Sequence, residues 1–412
     1  MTRSQSRFSK SLPGGVVGWC RRRVLPKLAH LCAILGVLIL GLWITGRVLT
    51  DRFQWSQYLW WIPAIWMIAS GWGLLVTSVV FDKLSRRSKG LLARALLLLG
   101  NIGCTGYLIF GVWHMHRMIT PSPSYPDAIK VVHWNQSAKK VDVASWAQSL
   151  LEQSTDIVLV TNSRWGSDRR TLLENLAPIA PSDEKHRVTN GYRVVGQLGH
   201  FRIDNNAFVA SRFPIVRTGQ VHVGSYSAEE SSVRPGGDLG WVLFAEFDLS
   251  SIDPESSPFI VWFVDLPSDP LSWRQSSMHQ VVQAIQGWNG RTTIVGESGW
   301  TTIETADSFP QPDLVIGDFN TLRGSASLDL LAPNMSDAFS QAGVGRGRSW
   351  SPKVSNKFLR QPIKLADWHI DLSLVGPNWR VSRYELMNTR QWGWAEHRIQ
   401  KLDLLPRKKQ PR

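Results

Sequence analysis

Carboxylates, carboxamides and one imidazole recur in this chain at the ends of short apolar runs, and its chemistry has to start there. The clearest case is Pro312-Asp313-Leu314-Val315-Ile316-Gly317-Asp318-Phe319-Asn320-Thr321-Leu322. The apolar, β-branched centre reads as a buried strand that stops at Gly317 and delivers Asp318 and Asn320 two residues apart. In layered α/β proteins such ends are where ligands meet reactive groups. An acid and an amide together hold a phosphate, a water or a cation. The plainer reading is a turn in which both side chains bond their own backbone.

Other runs end in the same way. Asn135 closes Val131-Val132-His133-Trp134, Asn162 follows Ile157–Thr161, and Asp265 follows Phe259–Val264. His369-Ile370-Asp371 lies in another run, and Glu396-His397 precedes the last one. If these ends converge, they form a site of oxygen donors with one imidazole. Such a site suits a divalent cation and a water directed at phosphorus.

The elements that must carry these residues are short. Ile129–Trp134, Asp156–Val160, Ala207–Ser211, Trp241–Phe247, Phe259–Val264, Leu314–Ile316, Trp368–Val375 and Arg398–Leu404 read as strands, and Val143–Glu152 and Trp273–Trp288 as helices. Mixed strands with scattered helices predict an α+β fold, a two-sheet β-sandwich flanked by helices. Gly290–Gln311, polar and rich in Thr and Ser, reads as a surface insertion. Val344-Gly345-Arg346-Gly347-Arg348 lacks the ending of a phosphate loop and reads as a hairpin connection, with Arg346 or Arg348 open to an anionic substrate. Most tryptophans of this region fit a sandwich core, with Trp392 or Trp394 at the pocket mouth.

Ahead of this region stand three apolar stretches, about Leu28–Gly46, Tyr58–Val80 and Leu91–Trp113, each long enough to cross a hydrocarbon layer of ~30 Å as a helix. None contains an acid, and Arg94 is expected to snorkel. The N-terminal segment and the loop with Lys83, Arg86, Arg87 and Lys89 are basic, whereas the first loop is nearly neutral. The rule that basic loops stay inside predicts a multi-pass cell-membrane protein with a cytoplasmic N-terminus and an extracytoplasmic C-terminal domain. The predicted organisation is a membrane domain (1–117), a Pro/Ser linker (118–127), the large domain (128–405) and a basic tail (406–412).

This organisation accounts for the net charge of +14. Residues 1–117 hold 15 Lys and Arg against Asp51 and Asp82, leaving 31 basic against 30 acidic side chains in the rest. The large domain therefore lacks the positive excess that gives sequence-independent DNA affinity. Cys20, Cys32 and Cys104 all lie in the membrane half. A thiolate metal site and a Cys nucleophile are thus excluded from the large domain, and any cation there is held by oxygen or imidazole.

At Ile316-Gly317-Asp318-Phe319-Asn320-Thr321, with Val132-His133-Trp134-Asn135, Asn206–Ile215 and His369-Ile370-Asp371 in that order, the chain resembles the endonuclease/exonuclease/phosphatase superfamily, the deoxyribonuclease I-like fold. The resemblance spans roughly residues 128–405 and implies a phosphoester hydrolase using Mg or Mn. It implies that His397, Asp371, Asp318 and Asn320 are catalytic, with Asp371 orienting His397. Asn135, Glu396 and Asn162 would lie at the metal, and Asp265 and Asn320 at the substrate. Three positions depart from the family pattern. Thr161-Asn162 replaces a Gln-Glu pair, Asp265 stands where a histidine contacts phosphate, and Ala395-Glu396-His397 replaces Ser-Asp-His. A neutral amide is a weaker ligand for a hard dication than a carboxylate.

Three readings stay open. The cation shifts to Asp265, Asp318 and Glu396; Glu297 supplies the missing ligand; or catalysis is lost and the domain binds or scaffolds. A fourth makes the membrane part the functional core. The substrate expected for an active site is a phosphoester: a lipid headgroup, a small molecule or extracellular nucleic acid. No stable protein partner is inferred.

Overall fold

The computed structural model describes residues 18–85, 90–120, 123, 125–137, 141–162, 167–176, 187–189, 192–195, 207–223, 240–254, 257–296, 299–351, 353–354, 363–364, 368–392 and 395–407. Glu297, Trp394, Asn206, the basic residues Arg86, Arg87 and Lys89, and most of the basic tail lie outside the described residues. The chain divides into two compact units. One comprises Met1–Val48 and Tyr58–Gly111, the other Leu49–Gln57 and Val112–Arg412.

In the first unit three helical stretches, Cys20–Leu49, Ala64–Ser85 and Leu91–Val112, are long and apolar enough to cross a membrane. The second begins at Ala64 rather than Tyr58, because Gln54–Trp61 forms a separate helix that stops just ahead of Pro63. Helices pack closely where side chains are small. A Cβ on Gly36 would meet Leu97 at 2.6 Å, and one on Gly71 would meet Asn101 at 2.6 Å. Arg94 does not snorkel. It pairs with Asp82 at 2.5 Å, both largely buried, since burying a guanidinium requires a counter-charge.

The second unit is built from strands β1 (Ile129–Asn135), β2 (Ile157–Thr161), β3 (Arg187–Thr189), β4 (Tyr192–Val195), β5 (Phe208–Ser211), β6 (Ile215–Val223), β7 (Gly240–Phe247), β8 (Phe259–Asp265), β9 (Arg291–Gly296), β10 (Gly299–Glu304), β11 (Leu314–Asp318), β12 (Ser336–Asp337), β13 (Lys353–Val354), β14 (Ile363–Lys364), β15 (Asp371–Val375), β16 (Trp379–Met387) and β17 (Ile399–Pro406). One sheet runs β16-β17-β1-β2-β5-β4-β3, the other β10-β9-β6-β7-β8-β11-β15-β12. This is the predicted mixed two-sheet sandwich with helices.

The central strands are apolar on both faces, which fixes the layers. Val131, Leu159, Val209 and Leu402 of the first sheet share one buried core with Leu243, Phe263 and Ile316 of the second. The alternate residues Val132, Trp134 and Val160 face outward under helix Val143–Glu152, whose Trp146 and Leu150 cover them. On the far side Phe244, Trp262 and Val264 are covered by Met278 and Val281 of helix Arg274–Gln286.

Two sequence expectations are revised here. Gly290–Gln311, expected as a surface insertion, does lie at the surface, but it carries two strands the sequence did not suggest: Arg291–Gly296 and Gly299–Glu304 form a hairpin that extends the second sheet through β6. Its Thr-rich strands suit a solvated edge, so the polarity that hid them reflects their position. Val344–Arg348 is not a hairpin link. It joins helix Ala338–Ala342 to a bridge at Trp350, and Arg346 lies over the Trp113 ring at 5.7 Å.

Candidate active site

Register places the acids. In the second sheet Asp318 pairs with Asp265 of the parallel β8 and with Asp371 of the antiparallel β15. Three carboxylates therefore stand in one row on adjacent strands, about 4.8 Å apart per step. In the first sheet Asn135 pairs with Thr161, so Asn135 and Asn162 arrive at the same level. Asn135 Nδ2 donates to Asp318 Oδ2 at 2.9 Å and joins the two sheets. Asn162 Nδ2 donates to Asp265 Oδ2 at 3.0 Å and approaches Asn135 Oδ1 at 3.3 Å.

The approach of β8 and β11 depends on Gly317. A Cβ there would lie 1.9 Å from the Val264 carbonyl oxygen. Beyond it Asn320 takes a positive φ of 47°, its N–H donating to Asp318 Oδ1 at 2.9 Å. Its carboxamide donates to the Leu266 carbonyl at 2.7 Å. Only the Asp318 half of the turn reading is present; Asn320 instead ties the end of β11 to the loop after β8, and both contacts aim the pair rather than replace its chemistry. Asn162 likewise sits at a positive φ, 51°. Backbone strain of this kind gathers where side chains must be aimed.

His397, just ahead of β17, crosses to the row of acids. Its Nδ1 lies 2.9 Å from Asp371 Oδ2 and 3.7 Å from Asp318 Oδ2. Ligand atoms of Asp318, Asp371 and His397 all lie within 4.8 Å of one another, and all three residues are buried. Glu396 is half-buried and stands outside this trio.

Electrostatics divides the roles. Burial, with Asp371 beside it, raises the Asp318 carboxyl to about 7. Burial alone would raise Asp371 too, but the imidazole of His397 and its hydrogen bond hold it below the usual carboxylate range. For His397 burial works against the charge. The carboxylate of Asp371, then Asp318 and Asp265, outweigh it and lift the imidazole to about 9. At neutral pH the site thus holds a protonated imidazole and an ionised partner, beside a carboxyl that burial and that partner make far readier to hold a proton than an ordinary one.

Several supporting residues carried no signal in the sequence. Ser349 Oγ accepts the backbone N–H groups of Ile370 and Asp371 at 3.0 and 2.9 Å, pinning the start of β15. With the Gln400 amide oxygen facing His133 Nδ1 at 2.9 Å, its nitrogen reaches the Asp371 carbonyl at 3.2 Å and Tyr384 Oη at 2.8 Å. Trp350, stacked on Trp368 at 5.3 Å between ring centres, lies 6.1 Å from the His397 ring. Of Trp392 and Trp394, one of which was expected at the mouth, Trp392 is core, in one cluster with Trp146, and Trp394 lies outside the described residues. Nothing local marks Ser349 or Trp350, since strand pairing alone brings them here.

Two nearby imidazoles stay neutral. Burial lowers His133 to about 4 and His369 to about 3. Below about pH 6.5 the unfolded chain takes up protons that these folded imidazoles refuse, so each costs stability as pH falls. Asp318, raised, acts with the opposite sign over the same window, so the test is a difference. Replacing His369 with Gln is expected to remove about 1.4 kcal/mol per pH unit from the slope of unfolding free energy between pH 6 and 4. Denaturant titration of the detergent-solubilised full chain at several pH values reads it.

The fold and site define a two-sheet sandwich with a carboxylate–imidazole centre at one end. Residues 132–391 match the model of the endonuclease/exonuclease/phosphatase family, and the chain belongs to that family. No curated protein matches it. Among solved structures it is similar to a family protein from Bacteroides thetaiotaomicron, at 14% identity over 68% of this chain and 98% of that one, TM-score 0.46. A mannosyl-6-phosphatase from the same organism shows 15% identity over 67% and 99%, TM-score 0.45. A Bacteroides vulgatus family protein shows 16% over 68% and 99%, TM-score 0.42.

Proposed function

We propose that the chain is a membrane-anchored, metal-dependent phosphoester hydrolase acting outside the cytoplasm. The observation carrying this reading is the convergence of Asp318, Asp371 and His397 within 4.8 Å at the joined ends of both sheets. In neutral water Asp318 accepts a proton from the attacking water as its oxygen bonds to phosphorus. His397, held by Asp371 through Nδ1, offers Nε2–H to a phosphoryl oxygen or to the departing one as the P–O bond breaks.

The residues fit a hard dication. Asp318 and Asp265 offer carboxylate oxygens on adjacent strands, each met by an amide nitrogen of Asn135 or Asn162, and a dication would be held by those carboxylates with the amides turned to present their oxygens. Bound there, an ion such as Mg or Mn would supply Lewis-acid polarisation of the phosphoryl group. The extracytoplasmic placement rests on the basic N-terminal and second loops, and accessibility of a C-terminal tag in intact cells tests it.

Hydrolysis of bis-p-nitrophenyl phosphate and p-nitrophenyl phosphate by the purified full chain with Mg or Mn tests the activity. Equal rates from the wild type and an inactive-site control such as D318A would refute it. Millimolar Mn is expected to raise the thermal midpoint of the wild type by several degrees and that of D318A hardly at all. One contact favours a second reading. Asn162 stands where the family has a glutamate and binds Asp265 at 3.0 Å, an arrangement that suits a domain holding a phosphoester without cleaving it. Isothermal titration with substrate, showing binding without turnover, would support that reading.

A further inference from the structure

Resting on the hydrolase reading, we infer that the substrate is a lipid-borne phosphoester, taken from the surface of the bilayer that holds the apolar helices. The first observation is where the second unit connects to those helices. The chain passes to or from them at Leu49, Gln57 and Val112. Within the second unit, each of these segments is held by loops that leave the site.

The loop after β8 begins one residue beyond Asp265. Its Ser272 carbonyl accepts from Gln57 Nε2 at 3.0 Å, Arg274 N–H donates to Gln57 Oε1 at 2.8 Å, and Trp273 Nε1 donates to the Asp51 carbonyl at 2.9 Å. The loop after β11 begins one residue beyond Asp318. Its Ala326 N–H reaches Thr50 Oγ1 at 3.2 Å, and Ser327 bonds Asp51 through both its N–H and its hydroxyl. Arg323 in the same loop donates to the Val112 carbonyl at 2.8 Å. The end of the sandwich bearing the acids is therefore the end at which the chain continues into apolar helices. A soluble substrate would gain nothing from that placement.

The second observation is which side chains this end exposes. Phe53 and Trp55 stack on each other at 6.1 Å with half their surface in the open. Met118, Ile119, Leu271 and Val344 are likewise exposed, on the segment after Val112, the loop after β8 and the run leading to Trp350. Stacked aromatics and isolated aliphatics beside polar loops suit the headgroup region of a bilayer. Two arginines here are spent on structure: Arg117 donates to the carbonyls of Phe339, Ser340 and Gly343, and Arg274 to those of Pro267 and Asp269, whereas Arg52, beside Phe53, is exposed. A phosphate presented at an interface is positioned by the surface itself.

The test uses the full chain in vesicles of phosphatidylcholine, phosphatidylethanolamine, phosphatidylglycerol and phosphatidic acid in equal parts, with mass spectrometry of released headgroups. The matching deacylated glycerophospho compounds and bis-p-nitrophenyl phosphate are offered at equal bulk concentration. At least one lipid is expected to be cleaved about tenfold or more faster than its deacylated counterpart, and the double variant F53S/W55S is expected to lower that ratio about tenfold. Equal rates on lipid and deacylated compound, or cleavage of bis-p-nitrophenyl phosphate with no lipid cleaved, would overturn the inference while leaving the hydrolase reading standing. Failure to cleave any of the three would overturn both.

Discussion

Replacing His397 with Ala is expected to cut turnover of bis-p-nitrophenyl phosphate by about a thousandfold or more, because one change removes two contributions. The first is the proton held at Nε2, worth roughly two to four orders of magnitude in acid–base catalysis. The second is the positive charge between Asp371 and Asp318, which lie on either side of Nδ1 at 2.9 and 3.7 Å. Without it two buried carboxyls face each other, and Asp371 loses the partner that keeps it ionised. Orphaning such a group costs about 3–5 kcal/mol of stability. The conservative H397Q keeps a hydrogen bond to Asp371 but not the charge. It should fold better than H397A yet remain as inactive, and steady-state kinetics beside thermal melts separates the two effects. If H397Q retained most of the wild-type rate, the proton-transfer role would fall.

The second large effect is structural. G317A should leave little folded protein, although it adds a single methyl. The new Cβ would sit 1.9 Å from the Val264 carbonyl oxygen, well inside any tolerable contact. The obstacle is backbone, so no side-chain rotation relieves it. Either β11 moves away from β8, breaking a parallel ladder whose residues Leu314–Asp318 are all buried, or the chain does not fold. A loss of about 3–5 kcal/mol is expected, enough to unfold many domains. The measurement is yield of monodisperse full chain and its thermal midpoint. A melt within a degree or two of wild type would refute the steric account.

The sequence and the structure meet best where a residue's surroundings are local. The strand ending at Asp318 was legible because the run before it is apolar, although Gly317, expected to stop it, lies inside the ladder and the strand continues to Asp318. The same holds for Asp265, Asn135 and Asn162, and the ordered spacing of these pieces indicated the family. What escaped depends on partners far along the chain. β16 was missed because Trp379–Met387 mixes exposed Arg380, Arg383 and Glu385 with buried Val381, as a strand near a sheet edge does. The β9–β10 hairpin was hidden by its own threonines. Ser349, Gln400 and His133 became site-supporting residues only through pairings across more than twenty positions. Asp51 looked like a lone acid in a short loop until it met Ser327, 276 residues on.

That last contact has a practical consequence. Cutting the chain at the Pro/Ser segment to obtain a water-soluble fragment would discard Thr50, Asp51 and Gln57 along with the greasy helices. The fragment's Ser327 hydroxyl, Trp273 indole and Arg274 amide would then face solvent or each other, and the two loops flanking the acids would lose their brace. A truncated preparation that proves inert would say nothing about the intact molecule, because the excision itself loosens the loops that wall the cluster of acids.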